Sequence, residues 1–240
     1  MKAFKRIIAV IAILTVITVS VFAIYTADYY HASPKAVSAS VSSKGVTVTQ
    51  SGDGLVFTPV NPKAGLVFYP GGKVEYTSYS PLMKKLAQDG IFCVLLKMPA
   101  NLAILDMNAA KDIPSRYPEI KRWFTAGHSL GGVAASACVS ENSELFEGLI
   151  LLAAYSTSDL SAVPVRVLSV YGSCDEVLDM EAYKENSVNL PPETNEYIID
   201  GGCHAYFGSY GAQKGDGKPE ITDEKQIELT SEKIIEFIGG

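Results

Sequence analysis

The sequence is short of the residues that build cross-linked, metal-binding or nucleic-acid-binding proteins. Four cysteines in 240 residues are too few for a disulfide-stapled miniprotein. Histidine is scarcer, with three in all. No His, Cys and carboxylate group has the spacing of a metal site, and the one adjacent pair, Cys203-His204, is a poor start for tetrahedral ligation. Lys and Arg number 20 against 26 Asp and Glu, for a net charge of −6. Three of the positive charges (Lys2, Lys5, Arg6) sit in the first six residues, so the remainder stands at −9. That leaves no basic stripe for a phosphate backbone and argues against nucleic acid as a partner. Neither a Walker A loop nor G-x-G-x-x-G occurs, and no cofactor is expected. The 20 glycines and 12 prolines follow no period, which excludes collagen-like and low-complexity chains. With 48% hydrophobic and 19% charged residues, disorder is excluded as well. The length suits one domain with a full core.

Charge is missing altogether from residues 7–27, IIAVIAILTVITVSVFAIYTA. At about 1.5 Å per residue a helix of that length spans about 30 Å, the hydrocarbon thickness of a bilayer. The preceding Lys2, Lys5 and Arg6 orient the N-terminus toward the cytoplasm, and Tyr25, Tyr29 and Tyr30 suit the far interface. The expected arrangement is a single-pass membrane anchor with the rest of the chain outside the cytoplasm. A cleaved signal peptide, giving a secreted protein, is the alternative. Signal cores run shorter, however, and no good Ala-x-Ala site follows closely. The expected organisation is an anchor or signal over 1–27, a small polar linker over 28–44 and one domain over 45–240.

Beyond the linker, strands and helices alternate. GVTVTQ (45–50) and GLVFTPV (54–60) read as an antiparallel hairpin. GLVFYP (65–70), IFCVLLK (91–97), WFTAG (123–127), GLILLAA (148–154), VRVLSVYG (165–172) and NEYIID (195–200) read as further strands, most of them apolar enough to be covered on both faces. Helices are expected after Ser80, which can cap with Pro81 in the first turn. Others are expected over 100–112, 130–140, 177–187 and 222–238. This order predicts an α/β fold of three layers, a mostly parallel sheet with helices on both faces.

The chemistry begins at Gly127-His128-Ser129-Leu130-Gly131. This is G-x-S-x-G, the sharp strand-to-helix turn that exposes a nucleophilic serine. The pattern also arises in ordinary βα turns. Here an apolar strand precedes it and a helix of small residues follows, as the elbow requires. A serine nucleophile needs a base and an orienting acid. His31 lies beside the membrane segment and His128 is inside the elbow, pointing away from Ser129, which leaves His204 after the last strand. Asp175, just beyond strand 165–172, is the best acid. Glu176 faces the other way, Asp179 belongs to the next helix, and Asp200 is too close in sequence to His204. The backbone N–H of Leu130 can serve an oxyanion. A second donor is expected from the turn FYPGGKVE, at Gly72 or Lys73.

DYYHA (28–32), FYPGGKVE (68–75), KMPANLAIL (97–105), GHSLGG (127–132), LLAAY (151–155), YGSCDEVLDME (171–181) and GGCHAYFGSYGAQKGDG (201–217) give the chain from about Tyr29 onward a specific resemblance. It resembles the α/β-hydrolase superfamily, and more narrowly a branch of small membrane-anchored bacterial proteins. The resemblance implies Ser129, Asp175 and His204 as the triad and carries no substrate. The chain departs from that branch at Cys203, where Asn is usual, and at Cys174, usually acidic or polar. The expected activity is hydrolysis of a small ester-like acyl substrate through an acyl-enzyme. Acyl transfer, thioester or peptide cleavage on the same residues, and a non-catalytic binding module, are the alternatives.

Two further expectations follow from spacing. Only Tyr155–Pro164 separates two strands at the usual place of a lid, so no cap domain is expected and the pocket should be open, preferring short acyl groups. Its rim is expected from 100–112 and 205–219. Cys174 and Cys203 each precede a triad residue, so their side chains could meet as a disulfide or point to opposite sides of their loops. Cys93 and Cys138 read as buried fillers.

Overall fold

The computed structural model describes residues 2–240. Its strands are β1 (Val46–Ser51), β2 (Gly54–Pro59), β3 (Ala64–Tyr69), β4 (Ile91–Leu96), β5 (Trp123–His128), β6 (Gly148–Leu152), β7 (Arg166–Gly172) and β8 (Asn195–Ile199). The helices are α1 (Lys2–Ala27), α2 (Pro34–Ala39), α3 (Ser80–Gln88), α4 (Ile113–Arg116), α5 (Leu130–Glu141), α6 (Met180–Glu185) and α7 (Asp223–Gly239).

The strands form one sheet in the order β1-β2-β4-β3-β5-β6-β7-β8. β1 pairs antiparallel with β2, and β2 antiparallel with β4; every later pair is parallel. Residues alternate between two cores, as the period of a strand demands. Leu66 and Phe68 of β3 face the side covered by α3 and α7, where they join Leu82, Leu86 and Ile234. Val67 and Tyr69 face the side covered by α5, with Val94, Leu149, Leu151 and Cys138. Each central strand is therefore apolar on both faces, which is why these strands read as unbroken hydrophobic runs. The parallel strands all end at one edge, and the loops leaving that edge carry Gly72, Ser129, Asp175 and His204.

α1 stands apart from this packing. Phe4–Ala27 is long and apolar enough to cross a membrane, and none of it is buried in the fold. The expected linker is ordered where it follows. Ser33 caps α2 by accepting from Ala36 N–H, Ala36 is fully buried, and Ser40 Oγ donates to Ser80 Oγ at 2.7 Å. Ser80 is thus the first residue of α3 rather than its cap.

The helix expected over 100–112 does not form. Short 3-10 turns occupy Pro99–Asn101 and Ala103–Leu105, with Ala100 and Asn101 at φ 50° and 55°. The cause lies in β3. Tyr69 Oη donates to Met107 O at 2.7 Å and accepts from Ala110 N–H at 2.8 Å. A buried side chain takes the backbone groups that a helix would have paired internally. The helix expected over 177–187 is shorter, α6 running from Met180 with Asp179 as its cap. Residues 153–165 between β6 and β7 carry no helix, so no cap domain stands over the carboxyl edge among the described residues.

Candidate active site

Ser129 sits between the end of β5 and the start of α5 with φ 52° and ψ −124°. A non-glycine residue there is strained by about 1–3 kcal/mol, and only a constrained turn holds it. The constraints are visible. Ser129 N–H donates to Leu152 O at 2.9 Å, pinning the turn to β6. A Cβ on Gly127 would run into the Gly131 backbone, and a Cβ on Gly131 into the carbonyls of Tyr69 and Pro70. The glycines let β3, β5 and α5 close around the serine.

His204 and Asp175 come from loops on neighbouring strands, β8 and β7. Their side chains are 2% and 1% exposed, with His204 Nδ1 2.9 Å from Asp175 Oδ2. Asp175 Oδ1 accepts from the N–H groups of Val177 and Leu178 at 2.9 and 2.8 Å. An ionised carboxylate only accepts, so Nδ1 is the protonated nitrogen and Nε2 presents a lone pair. Nε2 is buried and has no hydrogen-bond partner among the described residues. His204 and Ser129 line the same cavity, of about 210 Å³, with Leu130, Val133, Ala153 to Tyr155 and Val177 to Asp179. No hydrogen bond joins Ser129 Oγ to Nε2, a separation familiar in unliganded sites, where such bonds tighten only around substrate. The rim is thus built by the loops after β6 and β7 rather than by 100–112 and 205–219. The competing acids are otherwise engaged or exposed: Asp179 caps α6, Asp200 accepts from Ser173 Oγ at 3.4 Å, and Glu176 is solvent-exposed.

Of the two expected second donors, Lys73 is already spent, since its N–H donates to Asn101 O at 2.8 Å. Gly72 N–H has no partner among the described residues. A Cβ on Gly72 would lie 2.9 Å from Leu130 Cδ2, so the two candidate donors, Gly72 and Leu130, belong to segments in contact.

Three supports escaped the sequence reading. Asp216 accepts from the N–H groups of His204 (3.1 Å), Ala205 (2.8 Å) and Gly217 (2.9 Å). Gln226 of α7, fully buried, bonds both the N–H and the carbonyl of Cys203. Together they fix the loop that carries His204. The third support is a chain beneath the elbow. Tyr79 Oη accepts from Gly71 N–H at 3.0 Å and lies 2.7 Å from His128 Nδ1. Tyr79 Oη and His128 Nδ1 thus share one hydrogen bond, while His128 Nε2 is buried with no partner among the described residues. His128 faces inward, and its ring centre lies 4.6 Å from that of His204, the two rings tilted by 50°. Only the GDG at 215–217 hints at any of this, as a tight turn.

Burial, reinforced by His204, holds His128 well below its ordinary value near 6.5. It stays neutral when folded, whereas the unfolded chain protonates it below about pH 6.5. The unfolded state then binds more protons, so this contribution to stability is complete above that pH and declines as pH falls. Urea unfolding should show wild type losing up to about 2 kcal/mol more than His128→Asn between pH 7 and pH 5.

Tyr79→Phe tests the chain itself. It orphans Gly71 N–H and His128 Nδ1, at about 1–3 kcal/mol each. If Gly72 is a donor, loosening Gly71 should also lower kcat about tenfold with little change in KM. Unfolding curves and steady-state kinetics read both effects.

Cys174 and Cys203 are not bridged; all four cysteines are free. The loops are neighbours, Cys174 N–H donating to Gly202 O at 2.8 Å, but the side chains diverge. Cys203 is turned into the core with Ala205 and Tyr210, while Cys174 Sγ lies outside, near Ser173 Oγ. Burial, with Asp216 nearby, pushes the Cys203 thiol up to about 12, which makes it inert at neutral pH. Cys93 and Cys138 are fully buried.

The sequence signature of the alpha/beta hydrolase family matches residues 65–228, and the chain belongs to this family. Among solved structures it is similar to a predicted CIB-like hydrolase from Thermoplasma acidophilum. The TM-score is 0.57 at 13% identity, over 80% of this chain and all of that one. It is also similar to TT1662 from Thermus thermophilus, at a TM-score of 0.59 and 14% identity, over 81% of this chain and 99% of that one. At such identities the likeness is one of fold. No curated protein matches the sequence.

Proposed function

We propose that the protein is a serine hydrolase that cleaves a short acyl ester through an acyl-enzyme. Ser129 Oγ attacks the acyl carbon. His204 takes its proton at Nε2 and later returns a proton to the leaving alcohol. Asp175 holds the ring and stabilises the imidazolium. The N–H groups of Leu130 and Gly72 receive the oxyanion, donors worth roughly 3–4 kcal/mol of barrier each. Water then releases the acid by the same route. The domain stands outside the cytoplasm on the α1 anchor.

One observation carries this reading. A buried histidine, fixed by a buried carboxylate, keeps its other nitrogen free at the cavity that also holds a strained serine. His128 Nε2 is also buried and unpartnered, but His128 does not line that cavity and has no carboxylate on its other nitrogen. Labelling by a fluorophosphonate probe tests it, because the probe reports an activated serine whatever the substrate.

The cavity, about 210 Å³, is smaller than the roughly 300–1,000 Å³ of sites for drug-sized ligands. A p-nitrophenyl ester series should therefore show kcat/KM highest for acetate to butyrate and falling steeply beyond. With no cap to move, rates should rise smoothly through the solubility limit of the ester rather than jump at it. A preference for long-chain emulsions would count against the assignment.

A further inference from the structure

The apolar segment ends at the site itself. α1 stops at Ala27, and three residues later Tyr30 N–H donates to Lys73 O at 2.8 Å while Tyr30 O accepts from Glu75 N–H at 2.8 Å. Lys73 Nζ lies 4.4 Å from the centre of the Tyr25 ring, in the last turn of α1, and 3.1 Å from Asp28. Lys73 directly follows Gly72, the glycine packed on Leu130. Three extended residues reach only about 10 Å. A bilayer crossed by α1 therefore lies against the edge of the sheet where Ser129 and His204 sit.

The same edge exposes apolar side chains. Ile104, Leu105 and Met107 are 48%, 49% and 41% accessible. They follow Asn101, whose carbonyl accepts from Lys73 N–H at 2.8 Å. They thus sit one hydrogen bond from the residue that touches the end of α1. Water gains nothing from them, whereas a lipid interface does.

We propose that Ile104, Leu105 and Met107 enter the lipid interface beside α1, and that the substrate is a short acyl ester carried on a membrane-resident amphiphile. This rests on the serine-hydrolase reading above and adds where the substrate comes from. The small cavity takes the acyl group and the bilayer keeps the rest. Attack by Ser129 Oγ breaks the acyl C–O bond, and the alcohol leaves with the proton from His204 and stays in the membrane. Water then frees the small acid into solution.

The test uses the full chain in vesicles of phosphatidylcholine and phosphatidylglycerol. The indole introduced by Leu105→Trp should be strongly quenched by lipids brominated on their acyl chains. The indole introduced by Val60→Trp, at the far edge of the sheet between β2 and β3, should not. The native Trp123 is buried and gives a constant background. In the same vesicles Leu105→Glu should lower hydrolysis of hexadecyl acetate, relative to p-nitrophenyl acetate, about tenfold. Val60→Glu should leave that ratio alone. Probe labelling of the serine is measured in parallel. Suppose the serine is labelled, but the Leu105→Trp variant is quenched no more than the Val60→Trp variant, or the ratio does not move. The membrane-facing site is then wrong and the hydrolase reading stands. If the serine is not labelled while the Leu105→Trp variant is quenched, the hydrolase reading fails and the substrate proposal falls with it. A chain that loses residues 1–27 and leaves the vesicles overturns the proposal outright.

Discussion

Ser129→Ala should remove ester hydrolysis almost entirely, with kcat down by about a millionfold, the loss seen when the nucleophile of such a constellation is deleted. A residual rate above that of water should persist, since the N–H groups of Gly72 and Leu130 do not depend on the serine side chain. Stability should change by no more than about 0.5 kcal/mol. Ser129 Oγ makes no hydrogen bond among the described residues, and the turn is held by the backbone bond to Leu152 and by the close approaches at Gly127 and Gly131. The pairing of a vanished rate with an unchanged unfolding curve is the diagnostic. Turnover by p-nitrophenyl acetate assay and urea unfolding measure the two halves. Retained activity in Ser129→Ala would sink the assignment.

What the sequence made legible follows from what each feature depends on. The parallel strands could be found because burial on both faces demands continuous apolar residues, which β3, β4 and β6 supply and which β5 and β7 interrupt only with single polar side chains. The elbow was visible because its geometry forbids a Cβ at Gly127 and Gly131, so chemistry and composition coincide. His204 came from scarcity, with only three histidines to choose among. The misses are of another kind. The segment 100–112 has helical composition, but its backbone groups are claimed by Tyr69, a residue distant in the sequence. Asp216, Gln226 and Tyr79 act by tertiary hydrogen bonds that no local pattern announces. The cysteine pair shows the same limit. Chain order placed Cys174 and Cys203 on adjacent loops, but which way each side chain turns is settled by the core on one side and solvent on the other.

Asp175→Asn carries the second large effect, and the surroundings of this carboxylate force its direction. Oδ1 receives two backbone N–H groups, from Val177 and Leu178. In the asparagine variant the carbonyl oxygen must stay there, because an amide nitrogen would face two donors. The NH₂ is then left opposite His204 Nδ1, at a position now 2.9 Å away. Nδ1–H cannot remain against another donor, so the imidazole proton moves to Nε2. A protonated Nε2 cannot accept from Ser129, and the imidazolium loses its counter-charge. Removal of the charge with preservation of shape should therefore cost about ten-thousandfold in kcat, as expected when the orienting acid leaves the wrong tautomer. Asp200→Asn and Glu176→Gln, by contrast, should stay near wild type, since neither carboxylate reaches His204. A histidine nitrogen NMR spectrum of Asp175→Asn, showing the proton shifted from Nδ1 to Nε2, separates this account from simple unfolding. If Asp200→Asn proves the more damaging change, the acid is misassigned, because no rearrangement confined to the Asp175 loop would make Asp200 the partner of His204.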